Sequence, residues 1–458
     1  SNLIFKKLRM KYFLYKISFT ISFSTILLAQ FNYNLEECIS IALGNKKTIQ
    51  SSKLSLEGAR KGVLISRSER LPAISLNYNN SQNRFSEQTT SNFNISDALN
   101  DIIDTSLSTI NSSITSSASL NLNQRIYNGG QSKNRVKQAK LNLEIANLNL
   151  RKIKIEVIQR VSNSYYGLLQ AQKLLEVAEK NRTLSKQQVD LVQKQFDVGA
   201  VRRTDLLKAK VAEGQSKIDM LNRSTTLANA RRQLFNEMGM QDFGQAIVAD
   251  ADNWEGVNIP TSAEALKLLK TKNPVILIQK ERININQLQI QLAKGLRLPS
   301  LNGAVNYSAY GDENKKLLDA INDDWNLGVN LSLVIPLYSG GQLKTNQEQS
   351  ILLKKQSEND YLTFLNDQRV QVELLRSSLE NYAQIIPINE SVVLSAEEDL
   401  KLAQKRYSLG SATILEVLDA QVSLIRSRST LINTVHQARI NETNLEAILG
   451  LLDLKYQL

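Results

Sequence analysis

The chain has 458 residues, of which 22% are charged and 6% aromatic, and its formal net charge is +12. This composition is typical of long solvated helices rather than of a thick globular core. After the basic leader, which precedes the first acidic residue, Glu36, the basic residues are mixed with acidic ones. They form no stripe interleaved with aromatic residues, so nucleic-acid binding is not expected.

The first thirty residues have the pattern of a secretory signal peptide. Five basic residues precede an apolar run from Ile17 to Ala29, which is followed by Gln30. That run is shorter than the ~20 apolar residues that a membrane helix needs. The pattern predicts an exported protein with a signal peptide at 1–30. A signal anchor that stays in place is the alternative.

The rest of the sequence has no pattern of a membrane helix, because no later run reaches ~18 uninterrupted apolar residues. Contact with a bilayer would therefore have to be made by strands. Cys38 is the only cysteine, which excludes an internal disulfide. We expect Cys38 to pack on a helix as a small apolar residue.

A helix and then strands are predicted at the start of the mature chain. The helical pattern runs from Leu35 to Leu71 and ends at Pro72, because proline cannot continue a helix. Residues that alternate between apolar and neutral polar side chains then predict strands within about 73–127. We expect the apolar face of these strands to contact lipid and the polar face to contact water.

The segment from Gln131 to Val198 contains no proline and predicts a single helix of roughly 100 Å. Apolar residues repeat every seven positions in three series: Val136, Leu143, Leu150 and Val157; Ala139, Ala146 and Ile153; and Leu141, Leu148 and Ile155. The third series lies about opposite the other two, so the helix is predicted to pack between two neighbours. Gly199 then ends the helix, and a return helix extends to about Gly239.

The whole pattern occurs twice. Tyr127, which is followed by Asn-Gly-Gly, reappears 211 residues later as Tyr338, which is followed by Ser-Gly-Gly. Upstream, Pro72 corresponds to Pro299 at an offset of 227 residues. A constant offset indicates duplication. The residues that mark the junctions between strands and helices are Pro72, Pro299, Gly129, Gly130, Gly340 and Gly341.

The duplication predicts the domain organisation. We expect a first repeat at 31–239, a linker at 240–260 that packs around the waist, and a second repeat at 261–458 with strands at about 300–338. Strands can cross a bilayer only in a closed barrel, because every backbone polar group must be paired there. Even small barrels use about eight strands. Four strands per chain therefore predict that several chains share one barrel.

Several short motifs resemble the TolC-type outer-membrane efflux protein family over essentially all of the mature length. They are Leu71-Pro72 and Leu298-Pro299 before strands, Tyr-x-Gly-Gly after strands, Tyr407-Ser408-Leu409-Gly410 at a helical tip, and the segment 415–421. The resemblance implies a mainly α-helical fold with a membrane β-barrel portion. It also implies a homotrimer with a twelve-stranded barrel and a long helical periplasmic tunnel.

The resemblance further implies partners and a location. The location is the outer membrane of a Gram-negative bacterium, and the partners are outer-membrane lipid, a periplasmic adaptor (a membrane fusion protein) and an inner-membrane pump of the RND or ABC type. The tips at Val198-Gly199 and Leu409-Gly410 would repeat six times around a trimer, so we expect them to form the adaptor-docking surface.

Residue roles follow from the same resemblance. Glu416 and Asp419 match the acidic ring at the periplasmic aperture, and a spacing of three places them on one helical face. Thr204, Asp205 and Tyr407 match the contacts that hold the closed tips together.

One position departs from the family pattern. Ala412 stands where some members place an arginine of the lock. Arg202 and Arg203 lie at neighbouring positions across the repeat and are the candidates to substitute for that arginine.

The sequence contains no phosphate loop, metal-ligand cluster or nucleophile constellation, so neither an enzyme nor a cofactor is expected. The only histidine, His436, lies in a helical stretch and is interpreted as structural. The leading function is a passive exit duct for small toxic solutes or secreted protein, in tripartite efflux or type I secretion. An exported coiled-coil structural protein without channel activity is the alternative, and it leaves the four strands unexplained.

Overall fold

The computed structural model describes residues 32–84, 112–240, 247–248, 256, 259–311, 321–322 and 325–456. The predicted signal peptide and most of the predicted linker lie outside the described residues. The chain divides into two compact units. The helical unit comprises the described parts of Ser1–Ser55, Asn147–Ile278 and Tyr361–Leu458, and the strand unit comprises those of Leu56–Ala146 and Gln279–Asp360.

Helices and strands follow the same order in both halves. The first half contains β1 (Asn32–Tyr33), α1 (Leu35–Asn45), α2 (Lys47–Ser68), β2 (Ala73–Arg84), β3 (Ser112–Asn128), α3 (Gln131–Asp197), α4 (Arg203–Met238) and β4 (Ile247–Val248). The second half contains α5 (Ser262–Lys272), α6 (Pro274–Gly295), β5 (Ser300–Gly311), β6 (Trp325–Val334), α7 (Gln342–Ser408), α8 (Ile414–Leu449) and α9 (Leu452–Lys455). α3 and α7 are 67 residues each, and α4 and α8 are 36 residues each.

The predicted long helix packs on two sides. Ile155 and Val157 belong to opposite heptad series of α3, and both are buried in the helical unit. Residues two apart on a helix point about 200° away from each other. Their joint burial therefore requires neighbours on both sides of α3.

Three apolar clusters form the core of the helical unit. One packs α1, α3 and the end of α4 around Cys38, Ile158 and Leu168. A second joins α3, α4, α7 and α8 around Val192, Leu206 and Val417, and a third joins α5 and α6 to α7 and α8. Cys38 is fully buried, as expected, and burial raises the pKa of its thiol to about 12.

The prediction of a single helix from Leu35 to Leu71 is wrong, because the chain breaks at Lys46 into two helices. The Lys46 backbone is extended, and its ammonium donates to the Asn236 carbonyl (2.8 Å) and to the Glu237 carboxylate (3.1 Å) at the end of α4. Its counterpart in the second half is Asn273, which separates α5 from α6. Asn273 donates to the Ile448 carbonyl at 2.6 Å near the end of α8. In both halves, a polar side chain at the break between two helices donates a hydrogen bond to a backbone carbonyl near the end of the return helix. The last carbonyls of a helix have no partner within that helix.

The strand unit contains one antiparallel sheet in the order β2-β3-β5-β6. The two hairpins have the same register: Ala73 pairs with Asn123, and their counterparts Ser300 and Val334 also pair. The strand region predicted to about 338 ends at Val334. Pro336 follows shortly, and its missing N–H could not donate to a ladder.

One face of this sheet is apolar and exposed in the single chain, with large side chains at Ile74, Leu76, Leu120, Leu327, Val329 and Leu331. On the other face Asn306 donates a hydrogen bond to Asn121. The predicted alternation of faces is therefore present in the sheet. None of the helices in the described residues is long and apolar enough to cross a membrane.

Candidate functional site

The two helical tips end in matching turns. Gly199 follows α3 with φ +77°, and Gly410 follows α7 with φ +73°. The Gly199 N–H donates to Phe196 O (2.9 Å) and the Ala200 N–H donates to Gln195 O (2.8 Å). The second tip has the equivalent pair of bonds, which is the Schellman motif that caps a helix C-terminus.

Each tip presents an apolar side chain next to its glycine. Val198 is 80% exposed and Leu409 is 73% exposed. Neither glycine has a described atom within 4 Å of the position that a Cβ would occupy. The predicted tip residues therefore lie on open surface in the single chain.

Glu416 has a local role that the sequence analysis did not assign. It is the third residue of α8 and forms a capping box with Thr413: the Thr413 N–H donates to Glu416 Oε1 (3.0 Å) and the Glu416 N–H donates to Thr413 Oγ1 (3.4 Å). The Arg406 guanidinium lies 3.7 Å from the same carboxylate. Hydrogen bonds from the Thr413 backbone and hydroxyl hold the pKa of Glu416 below its usual range, and Arg406 adds to the effect.

Asp419 lies one turn beyond Glu416 and is exposed. It makes no side-chain hydrogen bond or ion pair with another described residue. The two predicted ring residues therefore lie close together on α8, but Arg406 partly neutralises Glu416. In this respect the charge at this tip is less negative than two free carboxylates would make it.

The predicted lock residues lie close together where α3, α4 and α7 meet. Tyr407 is buried, and its hydroxyl donates to Gln195 Oε1 at 2.8 Å. Burial raises the pKa of Tyr407, and the nearby negative charge of Asp205 raises it further. The structure thus brings Asp205 and Tyr407 near each other and adds Gln195, a residue that sequence reasoning missed.

The remaining residues considered for the lock make fewer contacts. Thr204 is exposed and has no side-chain hydrogen bond to another described residue. Arg202 and Arg203 are exposed, and neither pairs with an acid in the described part of the chain. Ala412 packs partly buried against the apolar cluster of the tips. Among the described residues of a single chain, no arginine pairs with Asp205 or Tyr407.

The junction glycines differ in their surroundings, although Gly129, Gly130, Gly340 and Gly341 all have φ between +61° and +82°. Gly129 lies against the backbone of Gly295 at the end of α6, and a Cβ would collide with the Gly295 carbonyl oxygen. The other three have no described atom within 4 Å of a Cβ position. Pro72 and Pro299 directly precede β2 and β5, as expected.

The missed residues left unequal signals in the sequence. Thr413 and Glu416 have the Thr-x-x-Glu spacing of a capping box, so that pair was visible. Gln195 contacts a residue more than two hundred positions away and has no local signature.

Among the described residues no group of three or more His, Cys, Asp or Glu could hold a metal ion. His436 is buried, with its Nδ1 at 2.8 Å from the Ile432 carbonyl oxygen.

The sequence of this chain is similar to known outer-membrane and efflux proteins. The model of the family described as "Outer membrane efflux protein" matches residues 38–240 and 265–451. Outer membrane protein TolC of Escherichia coli (strain K12) is 27% identical over 359 residues, covering 75% of this chain and 71% of TolC. Cation efflux system protein CusC of the same strain is 24% identical over 306 residues, covering 66% of this chain and 65% of CusC.

Solved structures share the fold. A crystal structure of CusC superposes with a TM-score of 0.78 at 21% identity, covering 91% of this chain and 92% of that one. The CmeC outer membrane channel of Campylobacter jejuni superposes with a TM-score of 0.77 at 16% identity, covering 91% of this chain and 85% of that one. These similarities confirm the predicted, mainly helical fold, in which the described residues of each chain form one four-stranded sheet. The chain belongs to the outer membrane efflux protein family, whose members are passive outer-membrane exit ducts rather than enzymes.

Proposed function

We propose that three copies of this chain form the exit duct of a tripartite transport system, in which their strands close one twelve-stranded barrel. This proposal rests on the two outer edges of the four-stranded sheet. β2 and β6 border the sheet, and neither has a strand partner on its outer side among the described residues. An open, apolar edge in a membrane leaves backbone groups unsatisfied, so a second copy must cover it.

The duplication predicts how that copy pairs. Within the chain, β3 of the first repeat pairs with β5 of the second, and Leu122 lies opposite Val305. The counterpart of Leu122 is Leu333, and the counterpart of Val305 is Tyr78. The same contact between repeats of neighbouring copies would place Leu333 opposite Tyr78. Likewise, Leu120 opposite Tyr307 predicts Leu331 opposite Asn80.

The helices support the same arrangement. Leu174 of α3 is 8% exposed, whereas its counterpart Ile385 of α7 is 42% exposed. The position in the first half is thus covered by other residues of the chain, whereas the described residues leave its equivalent in the second half partly uncovered. Further apolar side chains are exposed on α7 and α4: Val370, Leu374, Ile388, Val392, Ile218 and Leu221.

Disulfide cross-linking tests the assembly and its register. Cysteines at Tyr78 and Leu333, or at Asn80 and Leu331, should link the copies into covalent trimers on oxidation. Opposite residues lie within the Cα distance that a disulfide requires. Native Cys38 should not interfere, because it is buried with a raised thiol pKa.

The matched control combines Asn80→Cys with Leu333→Cys, which is out of register by two residues on the same face. It should cross-link poorly, because diagonal neighbours are too far apart. Non-reducing gels of the outer-membrane fraction give the result. Monomers from every pair would refute the trimer, and more efficient linking by the control would refute the register.

The tips at Val198-Gly199 and Leu409-Gly410 are proposed as the docking surface for the periplasmic adaptor. The matching turns and exposed apolar residues support this role. Gly199→Val and Gly410→Val should distort the turns, since a branched residue at positive φ costs about 1–2 kcal/mol. Dye export by cells should fall while trimers still reach the outer membrane. Gly214→Val, within α4 at ordinary helical geometry, is the control, and normal export by the tip variants would exclude the tips as docking surface.

The remaining assignments complete the proposed duct. Glu416 and Asp419 form the acidic ring of the periplasmic aperture, and Asp205, Tyr407 and Thr204 belong to the closed-state lock. The inner-membrane partner is a pump of the RND or ABC type, and the cargo is small toxic solutes or, in type I secretion, protein. Purification of the cross-linked complex identifies the pump and thereby the cargo class. Family membership favours the duct over the coiled-coil alternative.

A further inference from the structure

Three charged residues meet where the strands join the helices of the strand unit. Glu69 follows α2, Arg125 lies near the end of β3, and Arg135 lies in the first turns of α3. Both guanidinium groups approach the same carboxylate oxygen, Glu69 Oε2: Arg135 at 3.1 Å and Arg125 at 4.0 Å. One carboxylate thus lies near two guanidinium groups, so the three side chains have a net charge of one positive unit per chain.

This cluster is absent from the second repeat. The counterparts of Glu69, Arg125 and Arg135 are Leu296, Pro336 and Asn346. The second half forms the same helices and strands in the same hairpin register without any of the three charges. The duplicated fold therefore does not need them, and their presence in one repeat alone calls for another role.

The charges face two open cavities rather than the apolar face of the sheet. All three line a cavity of about 530 Å³, together with polar residues of the sheet such as Asn302, Asn330 and Ser332. Glu69 and Arg135 also line a second cavity of about 630 Å³ among the helices, whose other polar lining residues are uncharged. In both cavities these are the only charged lining residues.

We infer that Arg125 and Arg135 form an anion-binding site in the duct, which favours phosphorylated or carboxylated solutes. The inference rests on the proposed function, because the polar face of the sheet must line the lumen. A guanidinium binds phosphate or carboxylate through parallel N–H donors. Each side chain is about half exposed, with Arg125 at 44% and Arg135 at 46%, so both can reach a ligand. Three copies would place six arginines and three glutamates around one lumen, and a confined positive field concentrates anions.

Channel block by inorganic pyrophosphate tests the site. Purified trimers are inserted into planar bilayers, and pyrophosphate is added to each compartment in turn. The double variant Arg125→Gln with Arg135→Gln should raise the half-blocking concentration roughly tenfold or more. Glu69→Gln should lower it, because both arginines then lose their internal partner. Arg297→Gln is the matched control, since Arg297 is exposed, donates to Gln347 and lines neither cavity; it should leave block unchanged.

The half-blocking concentration should rise in the arginine variant and fall in Glu69→Gln, and these opposite changes distinguish a binding site from a purely structural ion pair. A clamp alone would lower the thermal stability of the trimer in both the Glu69 and the arginine variants and would leave block unchanged, which would overturn the inference. Channels that form and conduct but are insensitive to pyrophosphate in the wild type would also overturn it. Failure of the wild-type protein to form any channel would instead contradict the proposed function.

Discussion

Tyr407→Phe is expected to raise the closed-state conductance of the channel strongly. The change removes only the hydroxyl that donates to Gln195 and lies near Asp205. Such a hydrogen bond contributes about 1 kcal/mol, so a proposed trimer that opens as a unit would lose about 3 kcal/mol of closed-state stability. That corresponds to a roughly hundredfold shift of the closed–open equilibrium.

The first repeat shows that the tip tolerates this change. The counterpart of Tyr407 is Phe196, and the turn that follows Phe196 has the same Schellman hydrogen bonds. A phenylalanine at this position therefore need not disturb the fold. Asp205→Ala, at the other proposed lock residue of this tip, should act in the same direction.

Single-channel recordings in planar bilayers check the expected conductance. Tyr382→Phe deletes the same atom elsewhere on α7 and should have no effect.

The double variant Glu416→Gln with Asp419→Asn removes the proposed ring charges. It should weaken cation selectivity and block by polyvalent cations, with little change in conductance. Glutamine at 416 keeps the capping-box geometry, which alanine would lose. Wild-type conductance in Tyr407→Phe would exclude the lock, and unchanged selectivity in the double variant would exclude the ring.

Gly129→Ala is expected to lower the folded yield and the thermal midpoint of the protein strongly. Gly129 has φ +63°, and an added Cβ would collide with the Gly295 carbonyl oxygen and lie 3.0 Å from the Leu298 Cβ. Overpacking of this kind costs about 1–3 kcal/mol, and the left-handed backbone adds about 1–2 kcal/mol. The sum is a large part of the stability of a typical domain.

The neighbouring glycine provides the control. Gly130 has φ +78° but no described atom within 4 Å of a Cβ position. Gly130→Ala should therefore carry only the backbone cost and should still yield folded protein. The measurements are the yield of detergent-stable protein in the outer membrane and its thermal midpoint. Equal yields and midpoints for the two variants would show that the contact with Gly295 is not tight.

Much of the fold was predictable because the signals are local. The heptad series of α3 depend only on spacing, and Ile155 and Val157 are both buried as that spacing requires. Gly199 and Gly410 could be placed because only glycine readily adopts the left-handed turn after a helix. The break at Lys46 was missed in the first half, although Asn273-Pro274 marks the equivalent position in the second.

The sequence by itself determined the duplicated order of helices and strands, the alternating faces of the sheet and the position of each tip. Those features follow from spacing, from proline and glycine, and from the comparison of the two repeats. Only the tertiary structure decided that Tyr407 bonds to Gln195, that Arg406 lies beside Glu416, and that Glu69 lies between two arginines. Only the tertiary structure likewise shows that Lys46 donates to the Asn236 carbonyl, 190 residues away. A polar side chain takes whichever partner packing brings within about 3 Å, and no local pattern records that distance.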